Sequence, residues 1–256
     1  GAGAGGRAAR RDGGPAAMTL LIVEGLAKRF GGFTALDGID LEVAEGERLG
    51  LIGPNGSGKS TLVNCISGTL RHDAGRVTLD GTPLDGLPPH RRTRLGLARS
   101  FQLPRPFGSL TAAENLRVPL LFAGHTRPDD AACRDRAMAL LGTVGLADKA
   151  GRRPRELTQI EMRKLELARA MAAGPRLLIA DEAMAGLSHA EVDEILALLL
   201  RLNAEGVTIV MIEHIMRAVM AFSQRLVCLV AGRKVADGDP GEVIRNPEVE
   251  RAYLGE

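Results

Sequence analysis

Residues 53–61 read Gly53-Pro54-Asn55-Gly56-Ser57-Gly58-Lys59-Ser60-Thr61, a glycine, four residues and then Gly-Lys-Ser. No other feature restricts the fold as strongly. The apolar residues 49–52 stand directly before it and a helix-forming run follows, so the loop joins a buried strand to a helix. Glycines let successive backbone N–H groups converge on phosphate oxygens with no Cβ in the way, and the helix N-terminus adds partial positive charge. Lys59 is suited to neutralising β- and γ-phosphates, and the Ser60 hydroxyl to coordinating Mg²⁺. Shuffling this composition would produce the pattern roughly once in 200 sequences, so a serine-capped glycine turn is the poorer explanation.

Two more short apolar runs, 177–180 and 207–212, resemble 49–52 in being rich in Leu, Ile and Val and ending at polar residues. Fully buried parallel strands read this way. Between them residues 190–204 carry Val192, Ile195, Leu196, Leu199 and Leu200 at helical spacing, a strand–helix–strand unit that predicts an α/β fold with a parallel sheet. Residues 20–23 and the alternating 39–43 predict early antiparallel strands, as do 76–79 before the Asp80-Gly81 turn. Residues 110–173 have helical periodicity punctuated by Pro119, Pro128 and residues 151–154. A hairpin over 225–236, turning at Ala231-Gly232, and a short helix near 241–245 complete the pattern. Residues 1–17, rich in Gly and Ala, predict a disordered tail or an expression remnant, with Met18 as a natural start.

Charge narrows the function. Lys and Arg number 33 against 31 Asp and Glu, and residues 1–17 hold the whole excess, which disfavours nucleic-acid binding by bulk electrostatics. Three widely spaced cysteines fit neither a disulfide framework nor a zinc site, and no apolar run is long enough to span a bilayer.

Several further residues have chemistry suited to a phosphate site. Asp181 and Glu182 end the second buried run, at the carboxyl edge of such a sheet, where Asp181 can hold hydrated Mg²⁺ and Glu182 can polarise a water. Alone, the two acids could equally cap a helix. His214 follows the third run and can place an imidazole near a γ-phosphate, or be a surface residue. Gln102 stands at the entry to the helical stretch, where a solvated amide is the plain reading. Thr158 and Glu161 form a helix capping box, and the same helix start could bind a phosphate held by another subunit.

In this order, with an aromatic (Phe30) near the start, the motifs resemble the ATP-binding subunit of ABC transporters from Thr19 onward. The resemblance implies a P-loop ABC ATPase with a mixed-sheet core, an N-terminal antiparallel β subdomain and a helical subdomain at about 104–173, all in one domain over 18–256. It implies that Phe30 stacks on adenine and that Gln102 senses Mg²⁺ and the attacking water. Glu182 becomes the catalytic carboxylate and His214 the γ-phosphate contact. Residues 185–188 fall at the D-loop of a dimer interface. The segments Lys28-Arg-Phe-Gly-Gly32, Ala98-Arg-Ser-Phe-Gln102 and 246–256 are similar to the branched-chain amino acid uptake branch, in particular to the first of its two paired ATPase subunits.

The branch implies ATP and Mg²⁺ as cofactors and a homo- or heterodimer with a second ABC ATPase subunit. It further implies transmembrane permease partners, an external binding protein, and a peripheral position on the cytoplasmic face of a bacterial inner membrane. ATPases for urea, amides, aromatic acids or lipopolysaccharide export remain alternatives, as does an ATP-binding regulator with little turnover. A soluble ABC protein of ribosomes or DNA fits less well. One departure stands out. The family signature Leu-Ser-Gly-Gly-Gln is here Leu157-Thr158-Gln159-Ile160-Glu161, which puts a branched side chain at a glycine and a carboxylate near phosphate. The expectation is an asymmetric dimer in which this chain's own site is the better hydrolytic one.

Overall fold

Alternation and turn chemistry build the first layer. In the computed structural model, which describes residues 18–100, 105–123 and 129–254, β1 (Thr19–Phe30), β2 (Phe33–Ala44), β4 (Ala74–Leu79) and β5 (Thr82–Pro83) form an antiparallel sheet in the order β2-β1-β4-β5. The expectations for residues 1–17, Gln102 and Pro128 lie outside the described residues. β1 is far longer than the run 20–23 predicted. Glu24-Gly25 interrupts the apolar pattern but not the strand, because the register shifts there while pairing resumes at Leu26 with Ile39. The pairing ends with Phe30 opposite Phe33.

The second sheet has the order β10-β9-β3-β8-β7-β6. β3 (Arg48–Ile52), β6 (Leu97–Ser100), β7 (Leu177–Asp181), β8 (Thr208–Ile212) and β9 (Arg225–Val230) run parallel, and β10 (Arg233–Gly238) closes one edge antiparallel to β9. The buried runs thus form the expected parallel strands. β6 gave no sequence signal, since four residues that include Arg99 and Ser100 show no apolar run. Register explains the site that follows. Leu51 and Asp181 both pair with Ile212, so β3, β7 and β8 end level and release their loops on one side.

The helices in chain order are α1 (Lys59–Ser67), α2 (Pro89–Arg94), α3 (Ala112–Phe122), α4 (Asp130–Thr143), α5 (Gln159–Met171), α6 (His189–Ala204), α7 (Met216–Phe222), α8 (Pro240–Val243) and α9 (Pro247–Leu254). Pro119 does not break the helical stretch; it sits inside α3. Proline there removes one helical N–H. The helix start is held by a Thr111–Glu114 capping box and by buried Asn115, whose amide donates to the carbonyls of Phe107, Leu110 and Thr111. α8 begins earlier than the predicted 241–245 because Asp239 caps it and Pro240 takes the first helical position. α9 was not foreseen as a helix.

One apolar cluster joins α3–α6 to the sheet through Leu116, Leu141, Leu165 and Ile195, and a second fills the space between the sheets around Leu41, Leu49, Leu62 and Ile179. A third, smaller cluster unites Ile52, Leu226, Cys228, Val243 and Val249 below the loop that leaves β3.

Candidate functional site

The loop after β3 needs its glycines for space as well as for torsion. At Gly53 (φ 150°) a Cβ would run into the Leu229 carbonyl oxygen and the Ser57 side chain. At Gly58 (φ 105°), the N-cap of α1, it would lie 2.7 Å from the Ala35 carbonyl. The loop is also buttressed from behind, where the Gly232 N–H donates to the Ser57 carbonyl at 3.0 Å. The Lys59 ammonium folds along the loop, donating to the carbonyls of Gly53 (2.6 Å) and Pro54 (3.1 Å). Burial lowers its pKa below the ordinary lysine value, opposed chiefly by Glu182 and also by Asp181. A partly desolvated cation with carboxylates nearby is well placed to receive phosphate charge.

Across the sheet edge, Asp181 ends β7 and is nearly buried. Its Oδ2 accepts from Arg99 at 2.6 Å, and the other arm of Arg99 reaches Asn64 of α1 at 2.7 Å. Glu182 then takes a left-handed backbone (φ 49°), unusual for a residue with a Cβ. Its N–H is fixed by the Ile212 carbonyl at 2.9 Å, and its Oε1 lies 2.9 Å from His214 Nε2. Between them in sequence, Glu213 is 2% exposed. Its Oε1 accepts the Met184 N–H at 2.8 Å, and burial raises its pKa above the usual carboxylate range. Glu213 therefore braces the segment that carries Glu182 from below.

Of these groups, residues 55–61 of the loop, Glu182 and His214 open with Phe30 and Phe33 on one cleft of about 210 Å³, while Asp181 and Glu213 lie buried outside its lining. Phe30 is 49% exposed, with the Lys28 ammonium 5.4 Å from its ring centre. Thr158 lies elsewhere, at the N-cap of α5. Its N–H donates to Glu161 at 2.9 Å, and its Oγ1 accepts the Glu161 N–H. Glu161 also pairs with Lys149; that bond and the Thr158 N–H hold its carboxyl below the usual range. The Gln159 side chain and Arg163 both donate to the Ala185 carbonyl, tying the start of α5 to the loop after Glu182.

Four side chains join this framework that the sequence reading did not single out: Phe33, Arg99, Arg163 and Glu213. Phe33 was legible as the second aromatic of a tight hairpin. Arg99 and Glu213 adjoin residues that were singled out, but only tertiary pairing gives them a partner.

A glycine loop at a helix start, a buried lysine and a carboxylate–histidine pair on one edge of a parallel sheet define a nucleotide-binding ATPase of the P-loop class. The description "ABC transporter" fits residues 36–185 as a family match. The chain is 39% identical over 250 residues to the high-affinity branched-chain amino acid transport ATP-binding protein BraF of Pseudomonas aeruginosa, covering 93% of this chain and 98% of that one. A nucleotide-free ATP-binding cassette from an ABC transporter superposes with a TM-score of 0.86 at 31% identity, over 93% of this chain and 100% of the cassette. A dimeric cassette in a post-hydrolysis state, bound to ADP and Pi, superposes with a TM-score of 0.78 at 27% identity, over 86% and 99%. The chain belongs to the ABC transporter family, and its activity is that of an ABC-type ATPase.

Proposed function

We propose that this chain is the ATP-hydrolysing subunit of an importer for branched-chain or related amino acids, working as a dimer with a second ATPase subunit. The observation that carries the reading is the Glu182–His214 pair, 2.9 Å apart at the mouth of the phosphate-loop cleft. Phosphoryl transfer asks a protein mainly for positioning and electrostatic stabilisation. Phe30 stacks on the adenine, the amides of residues 55–61 and Lys59 hold the phosphates, and Glu182 takes the proton of the attacking water. His214, bonded to Glu182, orients it and reaches toward the γ-phosphate.

The donor set suits Mg²⁺. Ser60 and Asp181 offer hard oxygens, as does Gln102 by resemblance, and among the described residues no cluster of three His, Cys, Asp or Glu exists to cage a metal without phosphate oxygens. Bound there, Mg²⁺ supplies charge neutralisation to the phosphates.

The name of BraF supports the amino-acid branch, and the dimeric cassette supports pairing with a second ATPase subunit. No helix among the described residues is long and apolar enough to cross a membrane. The likeness to transport ATP-binding proteins supports permease subunits as partners, with the chain peripheral on the cytoplasmic face of the membrane and an external binding protein upstream. A second cleft, of about 320 Å³, carries exposed apolar surface for such a partner in Phe107 and Phe122 (63% exposed), with half-buried Val118 beside them. Arg99 lines this cleft and also bonds Asp181, so a helix of the permease seated there would press on the residue that orients the metal carboxylate. Phe122→Asp is expected to reduce co-purification with the permease about fivefold without changing Mg·ATP affinity.

Calorimetric titration of the chain with Mg·ATP tests the core of the reading. One nucleotide should bind per chain, and Phe30→Ala should weaken it by about five- to tenfold. Absence of heat with the intact chain would overturn the assignment.

A further inference from the structure

The tail segment that marks the branch has, so far, no physical role. Its helix α9 buries Val249 beside Ile52, Leu226 and Cys228, so the helix is seated under the strand that feeds the phosphate loop. Four residues on, and hence on the same helix face, the Tyr253 hydroxyl accepts the Gly53 N–H at 2.8 Å. The β3–β9 ladder ends with Ile52 opposite Cys228, and the very next donor along the chain goes to this phenol. Gly53 is also closely enclosed, since a Cβ there would meet the Leu229 carbonyl oxygen and the Ser57 side chain.

We propose that Tyr253 is a positioning residue of the phosphate loop. By accepting the Gly53 N–H, it fixes the first peptide of the loop so that the following amides face the phosphates, and the C-terminal helix thereby sets nucleotide affinity. This rests on the nucleotide reading of the cleft and adds a component to it. Neither Gly53 nor Tyr253 lines the cleft that Phe30, Glu182 and His214 share.

The test titrates the full chain and Tyr253→Phe with Mg·ADP, and follows thermal unfolding of both without nucleotide. Loss of one hydrogen bond to a part-buried donor should weaken binding about three- to tenfold, with the unfolding midpoint nearly unchanged. Equal affinities would overturn the inference while leaving the nucleotide reading intact, as would a lowered midpoint with unchanged affinity, which would make the phenol a staple of α9 only. Failure of both chains to bind would overturn the nucleotide reading and this inference together.

Discussion

Glu182→Gln should lower ATP turnover of the assembled transporter by about 10²- to 10⁴-fold while Mg·ATP still binds. The amide keeps the volume and can keep a hydrogen bond to His214, so the cleft retains its shape. What it loses is a proton acceptor. The side chain cannot relocate to compensate, because its backbone is held left-handed by the bond from its N–H to Ile212 and by Glu213 under Met184. Steady-state phosphate release and nucleotide calorimetry on the same preparation check both halves. Loss of affinity in parallel with turnover would make Glu182 a binding residue, and near-normal turnover would move the chemistry to the partner subunit.

Restoring the start of α5 should have the second-largest effect. With this chain's own site silenced by Glu182→Gln, the double change Ile160→Gly and Glu161→Gln is expected to raise the residual turnover, that of the partner's site, by about 10- to 100-fold. Here the Thr158 N–H is taken by the Glu161 carboxylate, that carboxylate is kept ionised by Lys149, and Ile160 packs against the helical core. A helix start already satisfied within its own subunit offers little to a γ-phosphate held by another. Glycine at 160 gives up that packing and about 0.5 kcal/mol of helix propensity relative to Ile, so a modest loss of stability should accompany the gain. Unchanged residual turnover would show that the start of α5 does not limit the partner's site.

What could be read in advance was whatever is written in consecutive residues. The loop 53–61 declares itself because its chemistry lies in one unbroken stretch, and the strands before Gly53, Asp181 and His214 because burial on both faces leaves uninterrupted apolar runs. Features that depend on a distant partner stayed hidden. β6 is a strand only because β7 lies beside it, and β1 survives its Glu24-Gly25 interruption only because β2 and β4 flank it. Arg99 reads as an ordinary polar residue until folding sets it against Asp181, 82 positions away. Pro119 misleads in the opposite direction, since tertiary packing around Asn115 outweighs a local propensity.

The left-handed backbone at Glu182 has a consequence for the history of the sequence. A residue with a Cβ pays roughly 1–2 kcal/mol to sit there, whereas glycine adopts those torsions freely. Selection for thermal robustness alone would therefore drift this position toward glycine and erase the acid. Heat-hardening screens run without a catalytic readout should enrich for inert proteins at this very codon.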